Sequence, residues 1–460
     1  MYIRSLTVKN LKRLRDFTLN LTRDGRPQMW TVLIGENGTG KTSILQAIAL
    51  AAAGPQATSL AGISFAHLRD RRQKGKMSIE ADFAFTPSSL AEPELHPLLK
   101  PPLPEGLYLR SEVTLDPKET VLRTSASYAD PTQPSLVAAD PLDRARARNT
   151  RLWFVIGYGV HRTLPESGRV PDLSRSSVDR MKPLFDPGYP LTSTSFMSHY
   201  GSRQAKARVY SNVLKRAIIN TGVLPADVAN LELRGYGGVS KAADLLERDR
   251  FQQTMGTDTV KVPGLGLAHG HQSTIAWVAD LVGHILLEAD TEIAPEEFEG
   301  LVLIDEIDLY LHPTWQAGLI PALRKTFPRL QFIATTHSPV VLASVAPEEV
   351  VRLQADPTTG HVTRVTPDAV SGAWDPVDNE ADLHTQPDPR ALTGTEIYQE
   401  FFGLDRLTLN EHGERLRSYT ALASDPARTD HQQRRLEELH QQLTAALVSD
   451  LMVAVPRSRG

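Results

Sequence analysis

The segment Trp30–Leu50, WTVLIGENGTGKTSILQAIAL, restricts the fold more than any other part of this 460-residue chain. Trp30 to Ile34 is a short apolar run of strand type. From Ser43 onward, Ile44, Leu45, Ile48 and Leu50 recur with helical spacing. Between them lies Gly35-Glu36-Asn37-Gly38-Thr39-Gly40-Lys41-Thr42, which fits G-x-x-x-x-G-K-[ST]. Glycines in this order let the backbone curl until successive N–H groups point at phosphate oxygens. The helix then begins with its positive dipole end at the phosphates. Lys41 adds a point charge for the β- and γ-phosphates, and Thr42 offers its hydroxyl to Mg²⁺. Gly35, Asn37, Gly38, Thr39, Gly40 and Ser43 complete the expected cradle. The four fixed positions coincide by accident in about 1–2% of chains this long, and the flanking strand and helix make accident rarer still. The segment therefore predicts a nucleotide site.

Two further strands end in residues that suit such a site. Leu301–Ile304 is a buried-type strand followed by Asp305-Glu306. A carboxylate at the C-terminal end of a strand beside a phosphate loop can hold Mg²⁺, the role expected of Asp305. Glu306 is then placed to orient or deprotonate an attacking water. In isolation the same pair reads as two solvated acids closing a strand. Leu330–Thr335 runs into Thr336-His337-Ser338-Pro339, and a histidine at that strand end can contact the γ-phosphate and sense its loss.

The stretch GLGLAHGHQSTIAWVADL, residues 264–281, admits two readings. His269 and His271 could be metal ligands, or Gly270 could open a helix whose N-terminus receives an anion. Ile275, Val278, Val282 and Ile285 form an apolar face behind it at steps of three and four. A metal site needs more ligands than two alternate histidines, and the sequence supplies no third nearby.

Taken together these segments resemble the soluble ABC-class, AAA-family ATPases of the SMC, RecF and OLD branch. The resemblance is carried by IRSLTVKNLKRLRDFTLNL near the N-terminus, IGENGTGKTSIL, DLYLHP after the acidic pair, and ATTHSP. It covers roughly residues 1–86, 150–162 and 264–355. It implies ATP and Mg²⁺ as ligands. Leu267-Ala268-His269-Gly270-His271-Gln272 stands where the family carries L-S-x-G-x-Q. Leu267, Gly270 and Gln272 match, Ala268 lacks the serine hydroxyl, and a protonated His271 could replace part of that contact. In the family the signature of one subunit closes on the nucleotide of another, so a homodimer sandwiching two ATPs is implied. A Q-loop glutamine is missing, with Tyr158, His161 and Arg162 in its neighbourhood. His312 sits where many members have the D-loop aspartate.

The resemblance is greatest to the ATPase subunits of bacterial anti-phage systems of Septu or PARIS type. OLD-type members often carry a fused TOPRIM nuclease, but the chain after residue 355 shows no apolar strand ending in the acidic pattern of such a metal nuclease. A separate effector, such as a nuclease, is the expected partner. The rivals are a RecF-like DNA-repair ATPase and the nucleotide-binding subunit of a transporter. Against the last stand the D-loop and THSP sequences.

The expected fold is α/β: an ABC-type head with a mixed and parallel sheet around the phosphate loop, antiparallel first-lobe strands and a helical second lobe. A C-terminal helical segment follows. Residues 1–165 form lobe I, with antiparallel strands at 77–86, 107–114 and 150–158. The Pro-rich EPELHPLLKPPLPEG between them is a loop insertion. Residues 166–262 form an insertion, irregular to 200 and mostly helical over 202–255. It lacks the sustained heptads of a long coiled coil, and prolines interrupt it. Residues 263–355 form lobe II, with an edge strand in EEVVRLQ. Residues 356–391 are a linker, and 392–460 a helical region. There Leu436, Leu439, Leu443, Leu447 and Leu451 share one face, suited either to its own core or to a partner.

Net charge is −4 and no cysteine is present, so disulfides and thiolate metal sites are excluded. The N-terminus lacks a signal peptide's apolar core. No stretch reaches the roughly 18 apolar residues of a membrane span. The expectation is a cytoplasmic chain without a membrane partner. DNA stays a candidate partner through two basic clusters, Lys9, Lys12, Arg13, Arg15 and Arg69, Arg71, Arg72, Lys74, Lys76. Such runs are more often solvated faces.

Overall fold

The computed structural model describes residues 1–60, 65–70, 72, 74–86, 106–129, 153–162, 164, 173, 176–200, 204–220, 222–224, 227–233, 249–287, 293–367, 374–376, 387–403 and 411–445. The Pro-rich insertion at 92–105, Leu447 and Leu451 lie outside them, as does most of the polar segment within 367–391. The described residues fall into two compact units, Met1–Ile397 and Tyr398–Gly460.

The first unit is built on a seven-stranded sheet. Five of its strands are parallel, in the order Val350–Ala355, Trp30–Gly35, Leu330–Thr335, Gly300–Ile304 and Val155–Tyr158. Val362–Pro367 and Trp374–Pro376 add antiparallel strands at the far edge. A parallel sheet covered on both faces needs apolar runs rather than alternation, and every residue of Trp30–Gly35, Gly300–Ile304 and Leu330–Thr335 is buried. Parallel strands also place their C-terminal ends together. Gly35, Asp305 and Thr336 therefore emerge at one edge although they are far apart in sequence.

A second, antiparallel sheet orders Leu14–Asn20, Tyr2–Leu11, Met77–Ala84, Tyr108–Leu115 and Arg123–Ala129. The helix Lys41–Ala53 shares one core cluster with both sheets, with Ile44 and Leu45 grouped with Ile79 and Phe83 and with Leu301 and Ile333. Eleven of its residues are buried, as a helix apolar on all sides requires. Two details differ from the sequence expectation. Val155–Tyr158 is not a strand of the antiparallel lobe. It pairs in parallel with Gly300–Ile304 as the edge of the central sheet. Arg123–Ala129 is a strand that its polar sequence hid.

Among the described residues of 202–255, helix is found at Gln204–Lys215, which runs on into a π-helical turn at Arg216–Asn220. Beyond this, Val228–Glu232, Arg250–Met255 and Asp258–Pro263 form a three-stranded antiparallel sheet. Met255 pairs with Asp258 around Gly256, whose φ of +64° suits a two-residue hairpin. The β-branched run Thr257, Thr259, Val260 and Val262 favours the strand. The signature helix His269–Leu287 follows directly and is buried over most of its length. At Gly283 a Cβ would overlap the ring of Phe196, so only glycine admits this approach.

The second unit contains the helices Glu411–Ser424 and Asp430–Ala445. Leu436, Leu439 and Leu443 are buried in one cluster with Tyr419 and Ala423. The leucine face thus serves this unit's own core over the described residues. Thr429 and Gln432 form a reciprocal capping box: Thr429 N–H donates to Gln432 Oε1 at 2.8 Å and Gln432 N–H to Thr429 Oγ1 at 3.3 Å.

Candidate nucleotide site

The phosphate loop takes the conformation its glycines allow. Gly38 and Gly40 have φ of +81° and +83°, left-handed values that turn consecutive N–H groups toward one side. At Gly35 (φ +148°) a Cβ would collide with the carbonyl of Leu353 on the neighbouring strand. Thr39 Oγ1 donates to Glu36 O at 2.8 Å and ties the loop to itself. The Lys41 ammonium donates to Gly35 O at 2.8 Å and Glu36 O at 2.9 Å, so loop carbonyls hold the charge. Burial lowers the Lys41 pKa, and Asp305 and Glu306 oppose that shift.

The acidic strand end meets the loop. Thr42 Oγ1 donates to Asp305 Oδ2 at 2.7 Å, and Thr335 Oγ1 to Asp305 Oδ1 at 2.6 Å. Glu306 sits at φ +47°, a left-handed geometry that costs a non-glycine residue on the order of 1–3 kcal/mol. Three contacts hold its backbone there: its N–H donates to Thr335 Oγ1 at 2.7 Å, and its carbonyl accepts from the Arg162 guanidinium at 2.6 Å and from the Leu309 N–H at 2.9 Å. Burial raises the Glu306 pKa, Asp305 and Asp308 raise it further, and Arg162 and Lys41 pull it back.

His337 is fixed through its neighbours. Thr336 Oγ1 donates to Asp308, and Ser338 Oγ donates to Gln316 Oε1 at 2.6 Å while accepting the N–H groups of Val340 and Val341. Burial, then the Lys41 charge, lowers the His337 pKa and favours the neutral imidazole.

These groups line one cavity of about 420 Å³, bounded by Asn37, Gly38, Gly40, Lys41, Thr42, Ser43, Asp305, Glu306 and His337, with Lys12 and Arg13. The last two were read from sequence as part of a basic cluster. A two-residue turn between paired Leu11 and Leu14 carries them here, with Lys12 at φ +49° and Arg13 Nη1 donating to Gly38 O at 3.3 Å. The signal was present in sequence as a strand–turn–strand ahead of the phosphate loop. In the second cluster, Arg72 is bound to Asp70 at 3.0 Å. The oxygen donors Thr42 and Asp305 fit Mg²⁺, which takes one or two protein oxygens beside phosphate and water. Among the described residues no group of three or more His, Asp or Glu side chains forms a separate metal site.

The signature residues do not line this cavity. They pack on the stretch after Glu306 instead. Gly270 lies so close to it that a Cβ would stand 2.5 Å from the Tyr310 carbonyl and 3.4 Å from the Trp315 ring. Leu267 is buried, and Gln272 Nε2 donates to its carbonyl at 2.7 Å. The His269 ring lies on Tyr310 and the His271 ring on Trp315, both at 4.5 Å between centroids. His271 is 2% exposed, with Nε2 3.5 Å from Asp227 Oδ1. The outward phosphate contact considered for it is therefore corrected: its side chain points into its own subunit. Ala268 and His269 are the exposed residues at this helix start. Gly270→Ala should lower stability by about 1–3 kcal/mol, because the added methyl meets a backbone carbonyl. Urea unfolding measures this; an unchanged midpoint would show that the Tyr310 approach is not tight.

Of the three Q-loop candidates, Tyr158 is buried and donates to Asp280 Oδ2 at 3.1 Å, away from the nucleotide cavity. Burial pushes the Asp280 carboxyl up to about 6. His161 is exposed. Arg162 is buried and bound to the Asp305 and Glu306 carbonyls. His312 caps the helix Pro313–Thr326, accepting the Thr314 N–H at Nδ1. Sequence reading missed Thr335, whose hydroxyl links both acidic residues and gives no pattern of its own.

Residues 1–134 match the family described as AAA ATPase domain, and residues 274–343 match a second AAA domain family. The two matched segments contain the phosphate loop and the acidic and histidine strands. Over these two segments the chain is similar to AAA ATPase domains. Among curated relatives, Septu protein PtuA of Bacillus mycoides (strain KBAB4) is 27% identical over 379 residues, 80% of this chain and 42% of that protein. Septu protein PtuA of Bacillus thuringiensis is 33% identical over 129 residues, 28% of this chain and 33% of that one. A protein named Retron Ec83 probable ATPase, from Escherichia coli, is 40% identical over 100 residues, 22% and 18% of the two chains. The matches thus span less than half the length of each of these relatives. A solved SMC head bound to the C-winged helix domain of ScpA aligns at a TM-score of 0.46 and 14% identity, over 79% of this chain and 98% of that one.

Proposed function

We propose that this chain is an ATP-binding and ATP-hydrolysing switch that closes as a homodimer around two ATP molecules and acts with a separate effector protein. The observation that carries the reading is the Thr42–Asp305 hydrogen bond of 2.7 Å inside a cavity shared with Lys41, Glu306 and His337. Residues from three strand ends converge there on the donor set a triphosphate needs. Thr42 and Asp305 would hold Mg²⁺, which supplies charge neutralisation at the phosphates. Lys41 leaves the Gly35 and Glu36 carbonyls for the β- and γ-phosphates. Glu306 orients the attacking water and takes its proton. His337, neutral, faces the γ-phosphate and registers its loss. The signature helix, absent from its own cavity, is free to meet the partner's nucleotide through the N–H groups at its start. Ala268 and His269 are the exposed side chains there.

The relatives named Septu PtuA and retron ATPase support a role in bacterial anti-phage defence; a cytoplasmic location and a nuclease as one class of effector belong to the same proposal. No helix among the described residues is long and apolar enough to cross a membrane. Two members of the first basic cluster, Lys12 and Arg13, line the cavity, where the nucleotide gives them a role without DNA, so the RecF-like reading has less support than the sequence offered it. Salt-dependent DNA affinity in the ATP state would restore it. The test of the switch is particle mass with Mg²⁺ and a slowly hydrolysed ATP analogue. Mass should double, and specific ATPase activity should rise with protein concentration. Constant mass and constant specific activity would remove the dimer from the reading.

A further inference from the structure

Arg162 is 1% exposed and does not line the nucleotide cavity. Its guanidinium donates to three backbone carbonyls: Gly159 at 2.7 Å, Glu306 at 2.6 Å, and Asp305. No described carboxylate lies within ion-pair distance of it. A buried cation held by carbonyls alone fixes backbone rather than balancing charge.

The topology shows why that backbone needs fixing. Val155–Tyr158 and Gly300–Ile304 are parallel neighbours, and the ladder extends one step further through Asp305 N–H to Tyr158 O at 2.8 Å. Glu306 then turns left-handed, so the Asp305 and Glu306 carbonyls leave the ladder without strand donors. Arg162 donates to both, joined at the Glu306 carbonyl by the Leu309 N–H at 2.9 Å. From the opposite side Thr335 binds the Glu306 N–H and the Asp305 carboxylate. The acidic pair is thus gripped on two flanks, by a hydroxyl and by a guanidinium fork.

We infer that Arg162 is a positioning residue for Glu306: it locks the left-handed turn that aims the Glu306 carboxylate into the nucleotide cavity. The inference rests on the reading of Glu306 as the base.

The test compares wild type, R162M, R162K, E306Q and R162M/E306Q for ATP affinity and kcat. R162M should bind ATP nearly as wild type, because Lys41 and Thr42 are untouched. Its kcat should fall about 10²-fold, the effect of a small misplacement of a catalytic group. R162K keeps the charge and loses the fork, so its kcat should fall as well. It also carries the test should R162M not fold. In the E306Q background, adding R162M should change the residual rate little. Wild-type kcat in R162M, or in R162K should R162M not fold, overturns the inference. So does an equal fractional loss with and without Glu306. If the wild type itself does not turn over ATP, both the inference and the ATPase reading fall. A silent Arg162 in an active enzyme overturns the inference alone.

Discussion

Glu306→Gln should bind ATP as tightly as wild type and hydrolyse it about 10²–10⁴-fold more slowly, the usual contribution of a positioned general base. The amide fills the same space, so the left-handed turn, the Thr335 hydroxyl contact and the Arg162 fork should survive. Only the proton acceptor is lost. The variant should therefore accumulate in the ATP-bound state, visible as retained nucleotide after rapid filtration. The wild-type pH profile supplies an independent check. Glu306 must be ionised to act as base, and burial with Asp305 and Asp308 nearby raises its pKa. Turnover should therefore fall on acidification from a pH above the ordinary glutamate range, and this limb should vanish in Glu306→Gln. Wild-type turnover in the variant would move the base elsewhere, with His337 the next group lining the cavity.

What could be read from the sequence follows from how local each feature is. The phosphate loop is legible because its glycines, Lys41 and Thr42 all lie within eight residues and each answers a backbone or phosphate requirement. Asp305, Glu306 and His337 are legible because parallel strands deliver their C-terminal ends to one edge, so a polar residue after a wholly apolar run is already placed. The residues that aim those groups are not legible. Thr335 appears as one more residue of its strand, and its hydroxyl matters only once Glu306 lies beside it. Arg162 could be narrowed to three candidates, but choosing it required the parallel pairing of Val155–Tyr158 with Gly300–Ile304, which the sequence reading had assigned to the other sheet. The three-stranded sheet after residue 227 was misread because its short strands carry few apolar residues, and the strand Asp258–Pro263 is mostly exposed. His271 was sent outward by its place in a signature motif, whereas the packing of Trp315 turns it inward.

Lys41→Ala should have the larger effect on binding. The Lys41 ammonium is buried at the base of the cavity, and without nucleotide its hydrogen bonds go to Gly35 O and Glu36 O. Nucleotide binding exchanges those two carbonyls for phosphate oxygens, a neutral acceptor for an anionic one, at a buried ammonium. Removing one partner of such a buried charge-assisted contact costs about 2–5 kcal/mol, or roughly thirty- to several-thousand-fold in Kd. Calorimetric titration of ATP should show that loss, and turnover should fall with it. Lys41→Arg tests whether charge alone suffices. The guanidinium is larger and planar and cannot sit between the same two carbonyls, so it should restore binding only in part. The loop glycines and their N–H groups remain in both variants, which separates the lysine's share from that of the backbone cradle. If Lys41→Ala binds ATP as tightly as wild type, the Gly35–Thr42 loop is not the triphosphate site. The convergence of Thr42, Asp305 and His337 would then need another ligand to explain it.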